Sequence, residues 1–387
     1  MKSLLKKVDK PLFILMFFYM ILGIVMILSA SSVSAVLRYQ VSSYYFFIRQ
    51  VIFVLFSVFV GFFLALRQPT HNYKWLSPVY LLAVVALLIY VFGYGAIAGG
   101  AQSWIDFGFF NLQPTEFAKT ALILYMGCFY EKSLKKKKNF WYNFLPILFA
   151  FVIFILVAKQ PDFGGAAIIA GIVFFTFLKV PFSDKKKVNT IKYLGIGTII
   201  FAFSLLYSGS DIFNSAQLSR LKFSAPCSRY MEDTGYQVCN GLIAYHNGGL
   251  FGVGLGNSSQ KYLYLPEAHT DFIFPILVEE LGLLIGILVL IGYAFILYRI
   301  LKIAKACDNT RNFIICYGTF IYILLHLIIN LAGSLALIPL TGVPLPFLSY
   351  GGSYNMNIIL MCFVIQRIAI ENKINEEKRQ IKLFTNS

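Results

Sequence analysis

Glu267, His269 and Asp271 lie within five residues of one another, in the stretch Leu265-Pro-Glu-Ala-His-Thr-Asp-Phe-Ile-Phe274, where a polar segment gives way to an apolar run. Two carboxylates and an imidazole at such a boundary are suited to general acid–base chemistry. A carboxylate drawn part-way out of water rises from its reference pKa of ~3.9 towards the range in which it takes up protons at neutral pH. Two uses of Asp271 follow from its position. Thr270 or Asp271 can cap the helix that begins here, and Pro275 suits a first turn, where a missing N–H costs nothing. Asp271 can also be a base tuned by Glu267 and His269, and one residue can do both.

Further ionisable groups sit at similar boundaries. In Gln113-Pro-Thr-Glu-Phe-Ala-Lys119 the spacing puts Glu116 and Lys119 on one helical face, within pairing distance. Such a pair either neutralises itself and orients two helices, or lines a polar cavity. Lys159-Gln-Pro-Asp-Phe-Gly-Gly165 offers a second pair, Lys159 with Asp162, in a tight turn. Convergence of these two segments would place Glu116, Lys119, Lys159 and Asp162 around one polar pocket. The Gly-rich run from Gly248 to Lys261 reads either as a set of turns or as backbone N–H groups approaching a phosphate beside Lys261. No βαβ unit surrounds it, which removes the dinucleotide-fold reading. Glu279 and Glu280 are adjacent and cannot face the same way, so at least one requires an internal partner. His326 and Asn330 are four apart and share a face. Thr341–Ser353 is a Pro/Gly-constrained loop in which Ser349 and Ser353 either contact a ligand or hold the loop rigid.

The elements that position these groups are membrane spans. The chain has 387 residues, 58% hydrophobic and 13% charged, outside the range of soluble globular proteins. Ten apolar runs can cross a ~30 Å hydrocarbon layer: 12–34, 45–66, 77–97, 117–130, 143–158, 164–180, 191–208, 272–298, 312–335 and 352–370. The expectation is an all-α polytopic membrane protein forming one domain, 1–387, its first run a true span rather than a cleaved signal peptide. With an N-in/C-in arrangement, 25 of the 33 Lys and Arg residues fall on the inner side, 7 on the outer side and Lys119 inside a span. That split satisfies the positive-inside rule and accounts for the +16 net charge without nucleic acid. It makes segment 209–270, between the seventh and eighth spans, a large external loop, and 372–387 a cytoplasmic tail. Loops 98–116 and 336–351 are then also external and read as re-entrant or interfacial. Four of the six cysteines fall in spans or an inner loop, whereas Cys227 and Cys239 share the external loop, where an oxidising compartment would allow them to pair as a disulfide. No internal repeat and no metal-ligand spacing is present.

Taken together, these segments resemble the SEDS family of membrane proteins, which includes RodA, FtsW and SpoVE. The likeness runs nearly end to end: Leu22-Gly23 and Ser29-Ala-Ser-Ser32; Gln113-Pro-Thr-Glu-Phe-Ala-Lys119; Gln160-Pro-Asp-Phe-Gly164; Gly235-Tyr-Gln237; Asn247-Gly-Gly249; Leu265–Phe274 with Glu279-Glu-Leu-Gly282; and Gly342-Val-Pro-Leu-Pro346 with Ser349-Tyr-Gly-Gly-Ser353. The stretch Leu265–Thr270 leans towards division-type members. Three departures stand out. Ser103 precedes Trp104 where many members carry Arg, Gly165 replaces a usual Thr, and the Cys227/Cys239 pair is not general.

The resemblance implies a peptidoglycan glycosyltransferase that polymerises lipid II on the outer face of the bacterial cytoplasmic membrane. A class B penicillin-binding protein and other divisome or elongasome membrane proteins are the partners it implies. It makes Asp271 the essential carboxylate and places Glu116, Lys119, Asp162 and Gln237 in the functional cavity. On this reading Asp271 takes the proton from the C4 hydroxyl of the incoming lipid II sugar, that oxygen attacks the anomeric carbon of the nascent glycan strand, and undecaprenyl pyrophosphate leaves. Lys119, Arg220, Lys222 and Lys261 are candidates for meeting the pyrophosphate, with a divalent cation such as Mg or Mn as a further expectation. The rival readings are a lipid II flippase and a non-enzymatic scaffold of the wall-synthesis complex.

Overall fold

A computed structural model describes residues 4, 6–98, 101–108, 110–138, 140–182, 189, 192–193, 195–197 and 223–385. Most of the expected seventh span, together with Arg220 and Lys222, lies outside the described residues.

The described chain is mostly helical. Helices α1 (Lys10–Leu37), α2 (Tyr45–Val60, continued by a π turn at Gly61–Ala65) and α3 (Tyr73–Tyr94) come first. They are followed by α4 (Pro114–Lys135), α5 (Leu145–Lys159), α6 (Phe163–Leu178) and α7 (Asp233–Gly248). The last four are α8 (Ile273–Leu281), α9 (Leu283–Lys305), α10 (Thr310–Ser334) and α11 (Gly352–Thr385). Seven described helices are long and apolar enough to cross a bilayer: Lys10–Leu37, Tyr45–Ala65, Thr70–Tyr94, Trp141–Lys159, Leu283–Lys305, Thr310–Ser334 and Gly352–Thr385. Helix α4 has the length but carries too many charges, and α6 is apolar but short. Both nevertheless pack into the bundle, α4 against α3 and α10, and α6 against α5 and α10. The two cores divide accordingly. One is built on α1, α2 and α8–α11, the other on α3–α6.

Helix ends are set by residues that recur in the sequence. Asp9 caps α1, accepting from the Leu12 N–H at 3.1 Å, and Pro11 occupies the first turn. Its carboxylate is also ion-paired with Arg299, and Gln366 bonds its backbone, so the start of α1 is tied to α9 and α11 at the basic end of the bundle. The C-terminal tail does not fray away from the last span: α11 runs unbroken to Thr385.

Two expectations are corrected. A small antiparallel sheet in the order β1-β2-β3, formed by Ala96–Ala98, Ala101–Asp106 and Asn111–Leu112, lies in and beside the 98–116 loop, so the fold is not all-α as expected. The run 272–298 is not one span either, because it breaks at Gly282 into α8 and α9.

The break at Gly282 explains the Gly-rich run. Gly282 has φ +89°, and a Cβ there would lie 2.4 Å from the Leu250 carbonyl oxygen. Gly252, at φ +79°, faces it, and its Cβ would lie 2.3 Å from the Glu280 carbonyl oxygen. The N–H groups of Val253 and Gly254 donate to the carbonyls of Glu279 and Glu280 at 2.9 Å each, while Leu283 N–H donates to Gly249 at 3.0 Å. The backbone N–H groups considered for a phosphate thus satisfy the free end of α8, whose last carbonyls lack helical partners. Changing Gly252 to Ala forces both a left-handed alanine and a backbone clash. We expect it to cost about 3 kcal/mol, read as a fall of roughly 3–5 °C in the thermal unfolding midpoint of detergent-solubilised protein.

Candidate active site

Four segments meet at the end of the bundle opposite the Asp9–Arg299 pair: 111–119, 160–165, 269–272 and 341–353. Gln113 N–H donates to the Ser353 hydroxyl at 3.0 Å, and its side-chain amide reaches the Asp162 carboxylate at 3.3 Å. A Cβ on Gly164 would touch the Thr341 carbonyl oxygen at 2.8 Å, so the start of α6 is pressed against the last of these segments. Tyr350 N–H donates to the His269 carbonyl at 2.8 Å, and the Ser349 hydroxyl to the Thr270 carbonyl at 2.6 Å. Ser349 also accepts from Leu345 N–H at 2.8 Å, and Ser353 is held between Gln113 and Asn111. Both serines are buried and act as struts that rigidify the loop.

Asp271 sits in the turn before α8 but does not cap it. The capping residue is Phe272, which makes no side-chain bond to the helix. No hydrogen bond or ion pair reaches the Asp271 carboxylate among the described residues, and it remains half-buried rather than sealed. Its backbone is held instead: Asn330 on α10 donates from one amide nitrogen to the carbonyls of Asp271 and Val343, at 2.8 Å each. Gly342, with φ +68°, passes over the carboxylate, and a Cβ there would stand 3.3 Å from Oδ2. A carboxylate reached by solvent from one side but otherwise surrounded by protein is poorly solvated when charged. Burial, reinforced by the nearby Glu267 carboxylate, raises the Asp271 pKa to about 7.

The neighbours expected to tune it do so unequally. Glu267 is half-buried, accepts from the Thr270 hydroxyl at 2.9 Å and lies 4.0 Å from the Arg38 guanidinium. His269 is almost fully buried among aromatic rings, with Phe46 at 4.5 Å, Tyr350 at 5.6 Å and Tyr39 at 6.5 Å between centroids. Burial, and then the Arg38 charge, depress its pKa to about 4, so the ring is neutral at physiological pH and acts by packing. Its Nδ1 has no hydrogen-bond partner.

One turn along α10 from Asn330, His326 joins this loop system to the second cluster. Its Nδ1 lies 3.2 Å from the Pro344 carbonyl and its Nε2 lies 3.2 Å from Lys119 Nζ. A carbonyl accepts only from a protonated Nδ1, which leaves Nε2 to accept from the ammonium. Lys119 is also 2.6 Å from Glu116, whose other oxygen receives the Tyr322 hydroxyl at 3.4 Å. Glu116, Lys119 and His326 are all buried.

The remaining sequence candidates fall out as follows. Asp162 caps α6 through Gly165 N–H at 2.8 Å, whereas Lys159 is exposed and makes no ion pair with it among the described residues, so Lys159 does not join the other three charges. A Cβ on Gly165 would come within 2.6 Å of the Asp162 carboxylate and 2.7 Å of Thr115, so the Gly in place of Thr fits close packing at this cap. Lys261 is not available to a phosphate in this structure. It is buried, paired with Glu280 at 3.1 Å and bonded to Ser29 and to the Gly256 carbonyl. Glu279 also has its partners, accepting from Asn247 at 3.0 Å, from Ser259 at 2.9 Å and from Ser258. Gln237 lies half-buried on α7, and Cys227 and Cys239 form a disulfide that ties the middle of α7 to the preceding 3-10 turn.

Among the described residues no three His, Cys, Asp or Glu side chains converge as metal ligands. Asp271 with Glu267 does not by itself make a cation cage. Sequence reasoning overlooked Arg38, Asn330 as the anchor of Asp271, and Gly342. Only the shared face of His326 and Asn330 hinted at the second.

The chain is similar to the "Probable peptidoglycan glycosyltransferase FtsW" of Bacillus subtilis, with 35% identity over 390 residues, 98% of this chain and 95% of the relative. It is similar to "Stage V sporulation protein E" of the same organism at 33% over 361 residues, 91% of this chain and 94% of that one. Among solved structures, one from work on the coordination of polymerization and crosslinking by a peptidoglycan synthase complex shares the fold with a TM-score of 0.72 at 22% identity, covering 94% of this chain and 97% of that one. The rod shape determining protein RodA of Thermus thermophilus does so with a TM-score of 0.65 at 23% identity, covering 94% and 96%. A family model described as "Cell cycle protein", FTSW_RODA_SPOVE, matches residues 9–374. With that span matched and these relatives nearly co-extensive with it, this multi-pass membrane chain belongs to the FtsW/RodA/SpoVE family.

Proposed function

We propose that this protein polymerises lipid II into β-1,4-linked glycan strands on the outer face of the bacterial cytoplasmic membrane, with Asp271 as general base. The observation that carries this reading is the Asp271 carboxylate itself, half-buried, unpaired and held by its backbone. The carboxylates of Glu279 and Glu371, by contrast, each accept from several donors. The positive-inside split supports placing the Asp271 end outside and the basic end, with both termini, in the cytoplasm.

In the reaction the acceptor C4 hydroxyl attacks the anomeric carbon of the donor strand. Its proton passes to Asp271, the anomeric bond to oxygen breaks, and undecaprenyl pyrophosphate departs with the electron pair. An α-linked donor gives a β-linked product, so one base and a stabilised leaving group suffice. Lys119 and Lys261 are committed to Glu116 and Glu280, which leaves Arg38, half-exposed beside Glu267, as the described cation best placed to meet the pyrophosphate. Glu116, Lys119 and Asp162 then set the shape and field of the wall beneath the sugar. Names of the relatives support the activity, and a class B penicillin-binding protein is the crosslinking partner on this reading. Synthesis of glycan strands from purified lipid II, resolved on a gel, tests the proposal; movement of labelled lipid II across proteoliposomes with no polymer formed would replace it with a flippase.

Asn330 is a positioning residue on this account. Asn330→Ala releases the Asp271 backbone and shifts the base by a fraction of an ångström. We expect kcat to fall about 10- to 100-fold with KM for lipid II nearly unchanged, a split that simple unfolding would not produce.

A further inference from the structure

The far end of the bundle holds a pocket unrelated to Asp271. It has a volume of about 240 Å³ and is lined by Pro69, Thr70 and His71 before α3, by Arg311 on α10, and by Arg367, Glu371, Ile374, Asn375 and Lys378 on α11. Three cations thus face one carboxylate. The carboxylate is fully used: Glu371 accepts from Thr70 N–H at 2.8 Å, from the Thr70 hydroxyl at 2.5 Å, from Asn312 at 3.1 Å and from Arg367 Nε at 3.1 Å. Arg311 is used as well, donating to Glu131 at 2.9 Å and to Thr70 at 3.2 Å.

Arg367 differs. It is only 9% exposed, its Nε is pinned by Glu371, and its two terminal nitrogens have no protein partner among the described residues while remaining accessible from the pocket. A buried guanidinium whose plane is fixed and whose fork is left open matches the planar, two-oxygen recognition of phosphate. Lys378, exposed and without an ion pair among the described residues, stands three turns further along the same helix and supplies a second charge at the mouth. The space is below the ~300 Å³ of a typical drug-sized site, which suits a phosphate and its ester rather than a nucleotide.

We propose that this pocket binds a phosphate-type anion, with Arg367 as the bidentate contact and Lys378 as the second charge. Its position at the basic ends of the helices, the side that the positive-inside split assigns to the cytoplasmic leaflet, makes an anionic lipid the favoured source over free phosphate. The proposal is independent of the polymerase reading.

The test uses the full chain in detergent, native mass spectrometry with phosphatidylglycerol or phosphatidylcholine, and melting curves with inorganic phosphate. Wild type should retain phosphatidylglycerol over phosphatidylcholine. Lys378→Gln should lower that retention roughly fivefold, and Arg367→Gln by about tenfold or more. Stabilisation by inorganic phosphate that Lys378→Gln loses, without lipid selectivity, would support the same site with a soluble source. Equal retention of the two lipids with no phosphate effect, or wild-type behaviour of Lys378→Gln in both arms, overturns the proposal. Because Lys378 is exposed and makes no contact the fold needs, its variant decides the matter even where Arg367→Gln fails to fold.

Discussion

Asp271→Asn is expected to abolish glycan synthesis while making the protein more resistant to heat. Asparagine keeps the shape of the side chain but cannot accept the hydroxyl proton, so loss of the base should lower the rate by about 10²–10⁴-fold. The stability effect has the opposite sign. Asp271 has its pKa raised from 3.8 to about 7, so the folded state holds a proton that the unfolded chain has already released between those values. Stability contributed by this group therefore falls as pH rises from about 4 to 7, and the full cost is present above 7. Solvent access to the half-buried side chain reduces that cost to about 1–2 kcal/mol. The gain from Asn should be largest above pH 7 and vanish towards pH 4 in thermal unfolding of the two proteins across pH. The wild-type rate should show the same group: activity climbs about tenfold per unit below pH 7 and levels off above it. A flat pH profile, or polymer from Asp271→Asn at the wild-type rate, removes Asp271 from the role of base.

Lys119→Met should be the most destabilising of the single changes considered. The ammonium is 1% exposed, bonded to Glu116 at 2.6 Å and to His326 at 3.2 Å, in the middle of the contact between α4 and α10. Methionine fills the space but leaves the Glu116 carboxylate buried with only the long bond from Tyr322. Breaking a buried pair in this way costs about 3–5 kcal/mol. The double variant Glu116→Gln/Lys119→Met removes both charges and should recover most of the loss, because two neutral side chains need no counter-ion. Thermal unfolding of the three proteins in one detergent checks this. If Lys119→Met alone matches wild type, the cluster is open to water and its role is in substrate contact rather than in holding the helices together.

Much of the architecture was legible because hydrocarbon leaves few options for a backbone. Six of the ten expected apolar runs coincide with described helices that meet the length and hydropathy of a span, and a seventh is represented by α9. What hydropathy could not register was the interruption at Gly282, since both halves of the run are equally apolar. The sign of the break was present but local: two acidic residues followed by Leu and Gly, twenty-odd residues after a Gly-rich stretch that had no assigned partner. Likewise the short sheet at 96–112 was hidden, because small and aromatic residues in a loop satisfy several geometries.

At the site, the residue types and their local order were readable from the chain alone. The sequence determined that Asp271 stands where polar loop meets apolar run, that Glu116 pairs with Lys119, and that His326 and Asn330 look the same way, because each depends on spacing within one element. Only the tertiary structure decided which charges are spent. Lys261 and Glu279 bind distant parts of their own chain, Lys159 turns to solvent, and Asp271 is left unpaired because Asn330 holds its backbone and Gly342 gives it room. A side chain's partners lie tens or hundreds of residues away, and its pKa depends on what surrounds it in space, a quantity that no local pattern encodes.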